Sequence, residues 1–174
     1  MLTGARVRLR AIEREDLPAL HEIDNDIEVR SLVSARSPVP ESLAELEARF
    51  AAGAANPQPG QIRFAIEADG AVIGDCGLHT MDNYSLNCHL GIAIRRDLWG
   101  QGYGTDAVRL LVDYAFSYLR MHKVCLEVLA HDARAVRAYE KAGFVAEGRF
   151  REHSWHRGAY RDLLRMAVFN GDRP

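Results

Sequence analysis

The sequence predicts one α+β domain, residues 1–174, in which seven strands form a single sheet flanked by about four helices. Three observations predict it. Short segments with period-two alternation outnumber the helical ones. The pair Asp69-Gly70 joins two strand-like segments and is typical of a tight hairpin. Late in the chain, two helical segments are each followed by a strand-like segment, and the length suits one compact domain.

The first half of the chain begins with a segment in which Val7, Leu9 and Ala11 alternate with arginines, which is typical of a half-buried strand. Two amphipathic segments follow, and the Gly- and Pro-containing stretch GAANPQPG at 53–60 predicts an internal loop. The predicted elements are a strand at 5–12, helices at 15–23 and 41–52, and strands at 61–68, 71–79 and 85–95.

The second half contains the strongest helix prediction, because apolar residues recur at the spacing i, i+3, i+4 and i+7 from Ala107 onward. Asp132 is a suitable N-cap for a second helix, and Gly143 a suitable terminator. The predicted elements are helices at 104–119 and 132–142 and strands at 123–130, 144–155 and 160–169.

The composition excludes several classes of protein. Twenty-two basic against 24 acidic residues give a net charge of −2, so we expect no nucleic-acid partner that binds through phosphate neutralisation. No apolar run reaches the ~18 residues of a membrane span, so no membrane partner is expected. Three cysteines without close spacing predict neither disulfides nor a metal site. We therefore expect a protein of a reducing compartment, the cytoplasm.

A glycine-rich turn lies between the fourth predicted strand and the long helix, with the sequence Trp99-Gly100-Gln101-Gly102-Tyr103-Gly104-Thr105. Alternate glycines let a ligand approach the main chain, and the helix that follows offers unpaired N–H groups. These features predict a socket for a phosphate or pyrophosphate. The turn matches neither the P-loop nor the GxGxxG dinucleotide pattern. A turn without a ligand remains the alternative.

Downstream, residues 132–144 read DARAVRAYEKAGF. Together with the glycine turn, this segment resembles the GNAT superfamily of N-acetyltransferases. The early REDL and the late EGRFREHSWHRGAYRDLLRM resemble its Rim-type and polyamine-type branches. The resemblance implies a mixed, mostly antiparallel sheet that splays between strands four and five. It also implies acetyl-CoA as co-substrate, with no metal.

The resemblance also implies where the coenzyme binds. The pantetheine arm would pair with the strand edge formed by Gly91, Ile92, Ala93 and Ile94, and Gly100 to Thr105 would hold the pyrophosphate. The family usually has Asn where this chain has Asp132; an ionised aspartate can cap the helix but cannot donate a hydrogen bond to the coenzyme. The candidates for the 3′-phosphate are Arg134 and Arg137, with Lys141 on the same stripe.

Two residues are candidates for catalysis. Tyr139 matches the family's tyrosine near the coenzyme sulfur, where a neutral phenol can protonate the departing thiolate; the alternative is simple packing on the helix. His89 stands where many relatives carry Glu, and histidine near neutrality suits a general base. It could equally only line the sheet, and His79 is a weaker alternative base.

The acceptor end is suggested by charge. Residues 13–47 carry ten acidic residues against three arginines, and the resemblance places this region beside the acceptor mouth. An acidic rim attracts a cationic amine, such as a polyamine, a protein N-terminus or an aminoglycoside. Glu22, Asp24 and Glu28 are candidates for steering; ordinary acidic helix faces are the alternative. Residues 33–40 lack the acidic residues that the polyamine branch uses to bind polyamine at a second site.

The predicted function is acetyl-CoA-dependent N-acetylation of a primary amine by direct attack in a ternary complex, in a possible homodimer. Two alternatives remain. One is a catalytically inactive acyl-CoA binding or sensing module on the same fold. The other is a nucleotide-binding or structural protein whose glycine turn has another use.

Overall fold

A computed structural model describes residues 1–33, 39–56 and 58–172 of the chain. Pro57, in the predicted loop 53–60, lies outside the described residues. Residues 34–38, in the segment 33–40, also lie outside them. The described strands form one sheet, and the helices pack around it.

The sheet has eight strands in the order β1-β2-β3-β4-β5-β6-β8-β7. All neighbouring strands are antiparallel except the parallel pair β5–β6. The strands are β1 (Leu2–Thr3), β2 (Arg8–Arg10), β3 (Ile62–Ala68), β4 (Ala71–Asp82), β5 (Asn87–Ile94), β6 (Lys123–Leu129), β7 (Val145–His156) and β8 (Ala159–Phe169).

In the part of the chain that the structure describes, five α-helices accompany the sheet, with short 3₁₀ turns between some elements. The helices are α1 (Leu17–Asn25), α2 (Ile27–Val33), α3 (Leu43–Ala55), α4 (Tyr103–Ser117) and α5 (Ala133–Lys141). Helices α4 and α5 pack on one face of the sheet, where Leu78, Leu111 and Leu126 are almost completely buried. Helices α1 and α2 pack on the opposite face, where Ile23 and Val29 contact Ala93 of β5.

The α+β prediction is confirmed, but the described residues form eight strands and five α-helices rather than seven and four. The first predicted strand, at 5–12, is shortened to β2, and β1 before it was not predicted. The Asp106 carboxylate accepts the backbone N–H groups of Ala5, Arg6 and Val7 and holds them in a turn between the two short strands. Helix α2 was missed, because the extended backbone of Asp26 separates it from α1. Helix α3 continues through Gly53 to Ala55, past the predicted start of the loop.

The predicted splay between the fourth and fifth predicted strands, at 85–95 and 123–130, is present between β5 and β6. These strands pair only at Asn87↔Lys123, Cys88↔Val124 and His89↔Cys125, and they diverge beyond that point. At the far end of β5, the indole N–H of Trp99 donates to the carbonyl oxygen of Ile94 over 2.8 Å. The gap exposes the edge of β5 that the sequence nominates for coenzyme pairing.

Candidate active site

A cavity of about 520 Å³ passes through the gap between β5 and β6. Its walls come from both faces of the sheet, because successive residues of a strand point to opposite sides. On the α4 face the cavity is lined by Ile92, Ile94 and Tyr139, and on the other face by His79, His89 and Glu127. Two reactants can therefore approach each other from opposite faces and meet in the gap.

The glycine turn forms one end of the cavity on the α4 face. Gly100 and Gly102 have φ values of 76° and 90°, in the left-handed region that favours glycine. Gly102 is the N-cap of α4, so the first N–H groups of this helix have no intrahelical partner. A Cβ on Gly102 would lie 3.4 Å from Nε of Arg6. Open amides and a neighbouring guanidinium fit the pyrophosphate of the coenzyme.

Asp132, Arg134 and Trp99 form a connected group that links the start of α5 to the first residue of this turn. One oxygen of Asp132 accepts the N–H of Ala135 over 3.0 Å, which caps α5, and the other accepts Nη2 of Arg134 over 2.9 Å. The Arg134 guanidinium lies 3.9 Å from the centre of the Trp99 ring, a cation–π contact. Asp132 therefore orients Arg134 as well as capping the helix.

Replacing Asp132 by Ala is expected to lower the free energy of unfolding by about 1 kcal/mol, because the helix loses its N-cap. Asp132→Asn keeps the cap acceptor and is expected to be nearly neutral. Denaturant unfolding of the two variants checks this. Equal destabilisation by both would show that Asp132 stabilises the protein through its ion pair with Arg134 and not through the cap.

Tyr139 lies on α5 and lines the cavity on the α4 face, with its ring centre 6.0 Å from that of Phe144. Burial of the hydroxyl, and then the negative charge of Asp132, raise the pKa of Tyr139 to about 12, although Arg134 acts in the opposite direction. The phenol is therefore neutral near pH 7 and holds a proton that it can donate. The side chain is therefore in the protonation state that a general acid requires.

A row of polar side chains crosses the opposite face on four neighbouring strands. The register pairs His79 with His89, and Glu127 with Arg165. The two imidazole centres are 5.7 Å apart, and Nη2 of Arg165 lies 3.4 Å from Nε2 of His89. Burial is the main cause that lowers the pKa of both histidines. Both are therefore neutral at pH 7 and able to accept a proton.

Helix α2 and the turn between β7 and β8 close the site from outside. Oγ of Ser31 is 3.3 Å from Nε2 of His156, and Glu28 is paired with Arg157. A smaller cavity of about 230 Å³ lies between these elements and reaches Arg134. The two cavities share Trp99, so the cleft continues toward the surface here.

The structure brings most of the predicted site residues together around one cavity, on both faces of the sheet. Those lining the cavity are Tyr139, His89, Ile92, Ile94, Gly100, Gly102, Gly104, Thr105, Asp132, Arg134 and Arg137. Three do not line it: Ala93 faces α1 and α2, Gln101 donates to the Asp97 carbonyl, and Tyr103 packs on the core.

Sequence reasoning missed Glu127 and Arg165 and gave little weight to His79. Strand alternation places Glu127 and Arg165 on predicted strands, but it does not say which strands are neighbours. The required signal was the strand order, in which β6 pairs with β8 and not with β7. A pairing of this kind cannot be read from a single sequence.

Within the described ranges, no group of three or more His, Cys, Asp or Glu side chains is arranged to hold a metal ion. Over the same ranges, no helix combines the length and the apolar character that crossing a bilayer requires.

Comparison with known proteins gives consistent results. Residues 6–145 match the family model described as an acetyltransferase (GNAT) domain. The chain is 31% identical to the spermidine N(1)-acetyltransferase of Escherichia coli K12 over 97% of its own length and 89% of that protein's. It is 29% identical, over 55% of its length and 52% of the relative's, to a putative ribosomal N-acetyltransferase of Bacillus subtilis.

Among solved structures, that of spermidine N-acetyltransferase from Vibrio cholerae in complex with CoA and spermine superposes with a TM-score of 0.88. The two chains are 29% identical, and the match covers 97% of this chain and 98% of the other. The similarity supports acetyl-CoA-dependent amine N-acetylation and does not favour the catalytically inactive alternative. The chain therefore belongs to the GNAT acetyltransferase family and is an acetyl-CoA-dependent N-acetyltransferase.

Proposed function

We propose that this enzyme acetylates a primary amine of a small cationic acceptor of the polyamine type. The cavity through the sheet carries the proposal, because it offers a coenzyme socket on one face and neutral histidines beside Glu127 on the other. Relatives named spermidine N-acetyltransferases support this class of acceptor. A protein N-terminus is the second candidate, supported by the relative named a putative ribosomal N-acetyltransferase.

Coenzyme binding is assigned to three groups of residues. The N–H groups of the turn from Gly100 to Thr105 bind the pyrophosphate, and the edge from Gly91 to Ile94 pairs with the pantetheine arm. Arg137 and Lys141 line the cavity on α5 and supply positive charge toward the 3′-phosphate. Arg134 is oriented by Asp132 over Trp99 and assists them.

The transfer itself is assigned to direct attack in a ternary complex. Tyr139 protonates the departing thiolate from the α4 face. A base must take a proton from the acceptor amine, which enters on the opposite face; the sequence nominates His89 there, with His79 as the alternative. A cysteine intermediate is disfavoured, because all three cysteines are buried, and burial raises the pKa of Cys88 to about 12 and that of Cys76 well above its usual value.

Steering of the acceptor by the acidic rim is weaker than the count of carboxylates indicates. Glu28 is paired with Arg157, and Asp26 lies 3.3 Å from Arg96. Burial raises the pKa of Asp24, which disfavours its charged form. Among the three proposed steering residues, Glu22 is the exposed one. We assign selectivity mainly to the cavity rather than to the rim.

The test is an acetyl-transfer assay with acetyl-CoA and three acceptors: spermidine, spermine and a short peptide with a free N-terminus. We expect acetylated spermidine by mass spectrometry and intersecting initial-rate lines, which indicate a ternary complex. A preference for the peptide would move the enzyme to the second candidate. Saturable acetyl-CoA binding without transfer to any amine would contradict the proposed function.

Homodimerisation is proposed through the β7–β8 hairpin. Strand β7 is an edge strand with almost every residue exposed, and Phe150, Trp155 and Tyr160 present apolar surface there. Long exposed edges are usually covered. We expect sedimentation to give about twice the chain mass of 19.4 kDa, and a Phe150→Glu variant to shift the mass to the monomer. A wild-type protein that is monomeric at high concentration would refute this.

A cytoplasmic location is also proposed. The three free, buried cysteines fit a reducing compartment.

A further inference from the structure

We propose that His79 accepts the proton of the acceptor ammonium, and that His89 is a positioning residue held in place by Arg165. This inference deepens the proposed function, on which it rests. It concerns the row of polar side chains on the acceptor face of the cavity.

The contact with Arg165 limits the ability of His89 to accept a proton. A guanidinium can only donate hydrogen bonds, so Nε2 of His89 accepts from Nη2 of Arg165, and the ring proton lies on Nδ1. A proton added to Nε2 would break this bond and place an imidazolium beside a guanidinium. Burial is the largest cause that lowers the pKa of His89, and the positive charge of Arg165 is the second. His89 is therefore a poor proton acceptor at the nitrogen next to Arg165.

His79 is arranged differently. Its Nδ1 lies 3.0 Å from Oγ1 of Thr80, while Nε2 makes no hydrogen bond to any residue that the structure describes. A Cβ built on Gly91 would lie 3.8 Å from Nε2, so this nitrogen sits over Gly91, where the nominated coenzyme edge of β5 begins. A free basic nitrogen therefore faces the gap in which the reactants meet.

The backbone beside His79 supports the assignment independently. The register of β4 and β5 shifts between His79 and Asp82, and Thr80 has a φ of 50°. A β-branched residue rarely adopts this conformation, and irregular strand backbone of this kind commonly re-aims a side chain at a functional site. Here it brings the Thr80 hydroxyl to Nδ1 and fixes the direction of the His79 ring.

The surrounding charges favour a protonated His79 over a protonated His89. From β6, Glu127 faces His79 and raises its pKa, although burial lowers it overall. Arg165 on β8 is 4.0 Å from Glu127 and directs its other nitrogen to His89. On β3, Arg63 is paired with Asp75 at 2.8 Å. Beside burial, the charge acting on His79 is the Glu127 carboxylate, whereas His89 feels Arg165, His79 and Lys123, which lower its pKa, as well as Glu127, which raises it.

The protons balance as follows. Nε2 of His79 takes one N–H proton from the ammonium, and the freed lone pair attacks the thioester carbonyl carbon. The C–S bond breaks and the thiolate takes the proton of Tyr139. The second proton lost by the nitrogen returns to the Tyr139 phenolate, and His79 releases its proton to solvent. One ammonium and one thioester give one amide, one thiol and one H⁺.

The experiment compares His79→Gln, His89→Gln and the control His122→Gln, whose ring packs on Phe169 outside the cavity wall. Rates are measured with spermidine at saturating acetyl-CoA from pH 5 to 9. General-base removal costs about 100-fold or more, so we expect His79→Gln to lose that factor in kcat together with the acidic limb of the profile. We expect His89→Gln to keep the limb, with its larger effect on the KM of spermidine, and the control to match the wild type.

Loss of the acidic limb in His89→Gln but not in His79→Gln would overturn the proposal, as would its retention in both. A second measurement does not depend on turnover. Imidazole ¹⁵N spectra at pH 7 should show both rings neutral with the proton on Nδ1, and a proton on Nε2 of His79 would also overturn it. If the wild type acetylates no amine at all, the proposed function fails, and the spectra still decide whether Nε2 of His79 is free.

Discussion

Replacing Tyr139 by phenylalanine is expected to lower kcat by about 100-fold or more, because the variant removes the only proton donor we assign to the leaving thiolate. The ring remains, so its packing against Phe144 is kept. The dissociation constant for acetyl-CoA, measured by calorimetry, should not change. The phenol, whose pKa is about 12, is a weaker acid than a thiol, so its proton must be replaced from the reacting nitrogen within the same step.

The matched control is Tyr118→Phe, at the C-terminal end of α4, where the side chain is 69% exposed and stacks on Tyr114. This variant should retain wild-type kcat. If Tyr139→Phe also retains it, the thiolate leaves without protein assistance and Tyr139 has only a packing role.

Gly74→Ala should produce the largest loss of stability. Gly74 of β4 pairs with Ile94 of β5, and a Cβ there would lie 2.1 Å from the carbonyl oxygen of Ala93. A backbone oxygen cannot rotate out of the way as the end of a flexible side chain could, so the two strands must separate. We expect the free energy of unfolding to fall by about 3 kcal/mol, the upper part of the range for overpacking. Acetyl-CoA affinity should fall too, because the distortion lies on the strand nominated for pantetheine pairing.

Gly148→Ala is the control, since no atom lies within 4 Å of the position that its Cβ would take on β7. Alanine should be neutral or slightly stabilising there. Urea unfolding of both variants gives the comparison. A Gly74→Ala protein as stable as the control would mean that β4 and β5 can move apart at no cost.

The fold could be predicted well from local signals and less well from tertiary ones. Alternation and turn residues located every long strand, and the apolar spacing located α4. Helix α2 was missed because seven residues after an extended Asp26 carry almost no periodic signal. The late start of the first predicted strand depends on Asp106, about a hundred residues away, and no local pattern contains that contact.

The side of the cavity that we assign to the coenzyme could be nominated from the sequence because it is local. A glycine turn and one helix carry nearly all of it, and their spacing is fixed along the chain. The side that we assign to the acceptor joins His79, His89, Glu127 and Arg165 from four strands. Its composition depends on strand order and register, so the sequence could nominate His89 but could not reveal Arg165 beside it.

The connected group of Asp132, Arg134 and Trp99 has an evolutionary consequence. Trp99 presents its ring to Arg134, and Arg134 is oriented by Asp132. A substitution at one of these positions therefore removes a contact on which the other two side chains depend. Homologues should therefore substitute these positions together. Lineages that lack an aromatic residue at the position of Trp99 should be released from arginine and aspartate at the other two, and a deep alignment should reveal a covarying triplet.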